Sequence, residues 1–111
     1  MPEARILIVR LGAMGDVLHA LPAVASLRRG LPDAHIAWVI DPKWAPLLEA
    51  NPHVDEIIRF DRRQRGSWRA LWSQLGSSRW SVALDLQGLI KSALICAASR
   101  APLRIGFDRS Q

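Results

Sequence analysis

An acidic residue closes a glycine-containing loop near the start of the chain. The loop runs from Leu11 to Asp16 after a short apolar segment, and Gly12 and Gly15 let its backbone approach a ligand closely. The free N–H groups of the helix that follows favour an anion nearby. This is not the dinucleotide fingerprint, because the third glycine is absent and an acid at the helix start repels a pyrophosphate. Asp16 is therefore a candidate site carboxylate with His19 on the same helix face, or it only caps the helix.

A second polar segment follows a later apolar run. Gln87 comes directly after the segment Ser81 to Leu86, which reads as a strand, and it begins a turn. Lys91 and Ser92 lie at the start of the helix that follows, near the same edge of the sheet. A lysine in the first turn of a helix is unfavourable by the dipole argument, so it could be kept there for a ligand. The alternative is a lysine whose ammonium group simply reaches solvent.

The basic residues are concentrated in one place. Thirteen of the fifteen basic residues are arginine, a side chain that forms bidentate pairs with phosphate and carboxylate groups. The densest group, with only Asp61 to offset it, consists of Arg59, Arg62, Arg63, Arg65 and Arg69. The group is either a site for phosphate or carboxylate groups or a solvated loop and helix start. No nucleic-acid-binding signature accompanies it, so we expect no nucleic acid partner.

Length and composition narrow the class of protein. The chain has 111 residues, 50% of them apolar, and a formal net charge of +5, which fits one globular domain. No apolar run approaches the length of a membrane span, and no signal peptide pattern is present. The single cysteine, Cys96, excludes an internal disulfide and lies in an apolar stretch that predicts a buried thiol. The histidines lack metal-ligand spacing, so no metal is expected.

Apolar periodicity predicts alternating strands and helices. Short turns separate the segments, which is typical of parallel strands with crossover helices, so the predicted fold is an α/β, Rossmann-like open parallel sheet with flanking helices. Asp16 and Ser67 are expected to cap two of the helices, and Trp68, Leu71, Trp72 and Leu75 are expected to share one packed face. The predicted strands are 5–10, 35–40, 56–60, 81–86 and 104–107, and the predicted helices are 17–29, 43–50, 67–75 and 89–99.

Three segments resemble glycosyltransferase family 9, the lipopolysaccharide heptosyltransferases. They are Ile6 to Ala23, Asp85 to Ala93 and Arg104 to Phe107, which stand in the order and at the spacing of the family. The resemblance extends over nearly the whole chain. The form GDVLHALP at 15–22 is most similar to the branch that adds the first heptose to the Kdo sugar of the inner core. The resemblance implies that residues 1–111 are the acceptor-binding, N-terminal part of a two-domain GT-B enzyme, truncated before its donor-binding domain.

The resemblance also implies roles for individual residues. The family transfers heptose with inversion and without a metal ion or other cofactor, and its catalytic base corresponds to Asp16. In the family the basic residues after the third strand bind the acidic acceptor, and the lysine of its second block corresponds to Lys91. The residues expected to bind substrate are Gly12, Ala13, Met14, Gly15, Arg62, Arg63, Arg65, Gln87, Lys91 and Ser92.

The implied partners are a lipopolysaccharide core acceptor of the Kdo-lipid A type and, through the missing domain, ADP-heptose. The implied location is the cytoplasm, with peripheral contact at the inner membrane left open, and this part alone is expected to be inactive.

One departure matters: Gly12 and Ala13 stand where the family has serine or threonine. Hydroxyl contacts are lost there, and backbone N–H groups would have to replace them.

Two other classes of function stay open. Another nucleotide-dependent Rossmann enzyme, such as an oxidoreductase, would need an acid at the end of the second strand, where Asp41 stands, and the missing third glycine. A non-catalytic module that binds anions or nucleic acid would use the arginine group alone. Replacing Asp16 with Ala should matter little in a binding module. In a transferase restored to full length, the same replacement should abolish turnover while the acceptor still binds.

Overall fold

A computed structural model describes residues 4–87 and 90–106, except for the side chains of Ile90 and Lys91. Strands and helices alternate along the chain, as the sequence predicts. The strands are β1 (Arg5–Val9), β2 (His35–Ile40), β3 (Glu56–Arg59), β4 (Val82–Asp85) and β5 (Leu103–Gly106), and the helices are α1 (Met14–Gly30), α2 (Pro46–Glu49), α3 (Ser67–Gly76) and α4 (Ile90–Ala98).

The five strands form one parallel sheet in the order β3-β2-β1-β4-β5. β1 lies at the centre, with Ile8 opposite Trp38 of β2 on one side and Leu84 of β4 on the other. The chain builds outwards from β1 in one direction and then returns to build outwards in the other. The order therefore contains a switch point between β1 and β4, where such sheets bind ligands outside the carboxyl ends of their strands.

Each face of the sheet is covered by its own pair of helices. Because side chains alternate along a strand, Leu7 and Val9 of β1 face one side and Ile6 and Ile8 face the other. The first set packs with buried residues of α3 and α4, and the second with buried residues of α1 and α2. The α/β prediction is therefore confirmed as a three-layer arrangement. In the described part of the chain no helix is long and apolar enough to cross a membrane.

Two helix starts and one packing face differ from the sequence prediction. α1 begins earlier than expected, with Ala13 at its N-cap, so Asp16 lies in the first turn and does not cap the helix. Ser67 is the first residue of α3, and the N-cap is Gly66 in a left-handed conformation. Trp72 is 48% exposed, because the packed stripe of α3 is narrower than the apolar pattern suggests.

Asp55 links the end of α1 to β2, and its ionisation should contribute to stability. Partial burial acts to raise the pKa of Asp55. Two contacts outweigh this effect and keep the pKa below 3.8: the Ile36 N–H donates to Oδ2 of Asp55 at 2.8 Å, and the charged Arg28 guanidinium donates to the same oxygen at 2.5 Å. The stabilisation is thus fully present above the pKa of the unfolded chain and is lost as pH falls through the lower folded value.

Replacing Asp55 with Asn is expected to lower the free energy of unfolding at pH 7 by about 0.5–1 kcal/mol, since the carboxylate is half exposed. The difference in free energy of unfolding between the Asp55→Asn variant and the parent chain should shrink below about pH 4. Urea unfolding at several pH values measures it, with Asp33→Asn in the exposed preceding turn as the control. A difference that stayed constant down to pH 2 would contradict the assignment.

Cys96 is buried, as the sequence predicts, and should be unreactive in the folded chain. Burial, with a smaller contribution from the Asp85 charge, raises the pKa of the Cys96 thiol to about 12, and the Arg104 charge opposes the shift. At pH 8 only about 1 in 10⁴ of the thiols would be ionised, and the thiolate is the reacting form. We expect a chromogenic disulfide reagent to leave Cys96 unlabelled until urea unfolds the chain. Rapid labelling of the folded chain would contradict the buried position of the thiol.

Candidate functional site

Backbone and side-chain hydrogen bonds join the two central strands at the switch point. The Leu11 N–H donates to Oε1 of Gln87 at 2.9 Å, and the Leu86 N–H donates to the Val9 carbonyl oxygen at 3.1 Å. Gln87 is held in turn, since its own N–H donates to Oδ1 of Asp85 at 3.0 Å. The loop after β1 and the turn after β4 are therefore fixed to each other. Both carry residues that the sequence predicts to bind substrate.

A buried arginine orients the acid of the first loop. Arg10 directly follows β1 and is 5% exposed, and its Nη2 lies 2.7 Å from Oδ2 of Asp16. Its Nη1 donates to the carbonyl oxygen of Leu86. The Asp16 side chain is 40% exposed, so a second molecule can reach the carboxylate. The geometry presents a fixed, solvent-accessible carboxylate in the first turn of α1.

A polar pocket of about 360 Å³ opens beside this loop. Its lining comes from the carboxyl ends of β1, β2, β3 and β4, where the Rossmann-like fold places ligands. The pocket is surrounded by three cationic side chains and one carboxylate, together with two aromatic rings. Its lining residues are Leu11, Gly12, Ala13, Asp41, Lys43, Trp44, Phe60, Arg62, Arg63 and Gln87. Such a mixture suits a polar, negatively charged ligand that also has an apolar face.

Gly12 is required by the tryptophan that forms one wall. A Cβ on Gly12 would lie 2.7 Å from Cδ1 and Nε1 of Trp44, so the indole rests directly on the loop backbone. The ammonium of Lys43 lies 5.0 Å from the centre of the Trp44 ring, within cation–π range. The glycine thus has a packing role that explains why no hydroxyl-bearing residue is present at this position.

The pocket collects some of the predicted substrate-binding residues and leaves others outside. Gly12, Ala13, Arg62, Arg63 and Gln87 line it together. Met14, Gly15 and Arg65 are exposed and are not part of the lining. Ser92 is fully buried in α4, and the side chain of Lys91 lies outside the described residues, as does Phe107 of the third motif. Their roles in binding stay predictions.

Sequence reasoning missed Arg10 and Trp44. Arg10 has a weak sequence signal: it is a charged residue directly after four apolar residues of β1, Ile6 to Val9, that are all buried. Trp44 stands in the segment between β2 and α2, where Lys43 N–H donates to Oδ1 of Asp41 at 2.9 Å and tightens the turn. This turn brings the indole over the first loop, a contact that follows only from the pairing of β1 with β2.

Comparison with known proteins gives one family and consistent relatives. The sequence profile of Glycosyltransferase family 9 (heptosyltransferase) matches residues 68–111. Lipopolysaccharide heptosyltransferase 1 of Escherichia coli K12 is 30% identical over 94% of this chain and 36% of its own length. Lipopolysaccharide heptosyltransferase 1 of Pseudomonas aeruginosa is 30% identical over 95% of this chain and 32% of its own length. The chain thus spans about a third of these relatives.

Solved structures agree with the sequence comparison. The glycosyl transferase family 9 protein of Veillonella parvula superposes with a TM-score of 0.84 at 27% identity, covering 97% of this chain and 33% of that one. The E. coli heptosyltransferase WaaC, solved with ADP-2-deoxy-2-fluoro heptose, gives 0.81 at 29% identity over 96% of this chain and 37% of its own. The fold and the resemblance expected from the sequence are both confirmed.

Proposed function

We propose that this chain, which belongs to glycosyltransferase family 9, forms the acceptor-binding part of a lipopolysaccharide heptosyltransferase. One observation carries the proposal: a cationic pocket at the carboxyl ends of the strands adjoins the loop that leads to a fixed, accessible carboxylate, Asp16. This combination is what transfer to an acidic sugar requires. A donor-binding part of the GT-B type would supply ADP-heptose.

The pocket has the chemistry to bind an acidic sugar. Arg62 and Arg63 are exposed cations on its wall, and their guanidinium groups can pair with the carboxylate of a Kdo residue or with a nearby phosphate. Trp44 and Phe60 provide apolar surface against which the C–H face of a sugar ring can pack. The acceptor proposed is therefore a Kdo-containing lipopolysaccharide core, and the reaction proposed is addition of its first heptose.

Asp16 is the proposed catalytic base. Its carboxylate would take the proton of the acceptor hydroxyl while that oxygen forms a bond to the anomeric carbon of the heptose. The bond from that carbon to ADP breaks at the same time, and ADP leaves with the electron pair. Attack opposite the leaving group inverts the anomeric centre. A metal ion or organic cofactor has no part in this scheme, and the cytoplasmic location stays a prediction.

An amide NMR titration of the 111-residue chain tests the acceptor part of the proposal. A Kdo-containing acceptor, ADP-heptose and a short DNA duplex are added separately. We expect the acceptor alone to shift resonances of Gly12, Ala13, Gln87 and the Arg62–Arg63 segment. Shifts that appear only with DNA and weaken with salt would overturn the proposal and favour an electrostatic binding module.

A matched pair of variants assigns the binding to the pocket. Arg62→Ser removes a cation from the pocket wall, whereas Arg69→Ser removes an exposed cation from α3 that is not part of the lining. Loss of one charge-assisted contact should weaken acceptor binding about 10-fold for Arg62→Ser. The Arg69→Ser variant should bind like the parent chain. Equal weakening in both variants would show that acceptor binding depends on the net charge of the chain and not on the pocket.

A further inference from the structure

The charged side chain of Arg10 is buried, and burying a charge costs free energy because the charge loses its hydration. It is 5% exposed, and its Nε has no hydrogen-bond partner among the described residues. A guanidinium that is desolvated and incompletely bonded contributes little to stability, because the desolvation cost offsets its attractive contacts. A residue that local energetics disfavour in this way needs another explanation.

The contacts of Arg10 place it between the three segments that build the site. Its carbonyl oxygen accepts the indole N–H of Trp38 at 2.9 Å, and its own N–H donates to Val39 at 3.3 Å, so β2 holds its backbone. Its guanidinium bonds the carbonyl oxygen of Leu86, directly after β4, and contacts Asp16 at 2.7 Å in α1. The planar guanidinium can satisfy both contacts in only one orientation, because its N–H donors point in fixed directions.

We propose that Arg10 is the positioning residue for the Asp16 carboxylate. It ties the orientation of the acid to the spacing of β1 and β4, so that the carboxylate has a fixed direction before an acceptor arrives. A base held in place avoids the entropic cost of finding the reactive geometry, and small misplacements of a reacting group lower rates by large factors. This inference rests on the proposed role of Asp16 as the base.

The test is kinetic and uses a polypeptide in which this chain is followed by a donor-binding part. Arg10→Met removes the charge while keeping most of the side-chain volume, and Arg10→Lys keeps the charge but loses the planar pair of donors. We expect kcat to fall about 100-fold in Arg10→Met, with the acceptor KM within about 3-fold of the parent. Arg10→Lys should recover part of the loss.

A double-mutant cycle separates positioning from a merely structural role. If Arg10 acts through Asp16, Arg10→Met should cause no further loss in an Asp16→Asn background. A structural arginine would lower kcat by the same factor in both backgrounds, and that result would overturn the inference. Equal kcat in Arg10→Met and the parent would overturn it as well.

Arg28→Met serves as the matched control. Arg28 is also a multiply bonded arginine of an ion pair, but it joins the far end of α1 to His53 and Asp55. The control should lose thermal stability and keep kcat. If Asp16→Asn itself retains full turnover, the proposed function fails; if only Asp16→Asn is inactive and Arg10→Met is not, the positioning inference fails alone.

Discussion

Asparagine in place of Asp16 is expected to reduce the proposed heptosyl transfer by a factor of about 10²–10⁴, the contribution that a positioned general base makes to a rate. The amide is nearly the same size and can still accept a hydrogen bond from Arg10, whose Nη2 lies 2.7 Å from the native Oδ2. It cannot take a proton from a hydroxyl group. The loss should therefore appear in kcat, with little change in acceptor affinity.

Steady-state kinetics with a Kdo-containing acceptor and ADP-heptose measure the loss, in a polypeptide that also carries a donor-binding part. The NMR titration of the 111-residue variant measures acceptor binding independently of turnover. Asp41→Asn is the control, because Asp41 is a carboxylate that lines the pocket and Oδ1 of Asp41 accepts the Lys43 N–H at 2.9 Å. Turnover lost equally in both variants would argue for general electrostatics and against a base at Asp16.

Strand positions were predictable from the sequence because each strand is a short apolar run bounded by residues that break it. β2 matches the prediction at both ends, His35 and Ile40, since Pro32 and Asp33 precede it and Asp41 and Pro42 follow it. β1, β3 and β4 agree with the prediction to within one residue at each end, and β5 begins one residue early, its predicted end at Phe107 lying outside the described residues. The parallel arrangement also follows, because each crossover helix lies between two consecutive strands.

The start of α1 was not predictable from capping preferences. Asp16 is a favourable N-cap residue, yet the helix begins at Met14, and the Val17 N–H donates to the Ala13 carbonyl oxygen at 2.9 Å. The carboxylate contacts Arg10, which follows β1. A tertiary ion pair overrides the local preference here, and propensity scales cannot represent such a contact.

The candidate site was predictable in parts. Two of its segments, the first loop and Gln87, are recognisable because they follow predicted strands, and the arginine group is recognisable by its charge density. Their meeting depends on β1 lying beside β4: Leu11 and Gln87 are 76 positions apart and are joined by one hydrogen bond. Arg10 bonds Leu86 across the same separation. A local sequence pattern contains no information about partners so far apart in the chain, which is why Arg10 and Trp44 were found only in the structure.

Truncation of Trp38 should have the largest effect on stability. The indole is 0% exposed in the core between the sheet and the α1 and α2 layer, and its N–H donates to the Arg10 carbonyl oxygen. Trp38→Ala is expected to cost about 3–5 kcal/mol, since it removes a large buried ring and leaves a cavity. Domains of this size are typically stable by about 5–15 kcal/mol, so much of that margin would be lost.

Urea unfolding followed by far-UV circular dichroism measures the cost, and an unchanged slope with denaturant shows that the same transition is compared. Trp72→Ala is the matched control: the same substitution at a 48% exposed position should change the free energy of unfolding by less than about 0.5 kcal/mol. Equal losses in the two variants would contradict the packing described for β2.

Trp38→Phe separates the hydrogen bond from the packing. The ring stays apolar and large, but the Arg10 carbonyl oxygen loses its 2.9 Å partner, which should cost about 1–3 kcal/mol if it stays buried and unpaired. Because the same residue carries the guanidinium that contacts Asp16, the loss should spread to the site. Kinetics of Trp38→Phe, measured below its unfolding temperature, should show a lowered kcat at nearly constant acceptor KM. That result would mean that a core tryptophan affects the position of the proposed base, because its indole bonds the backbone of Arg10.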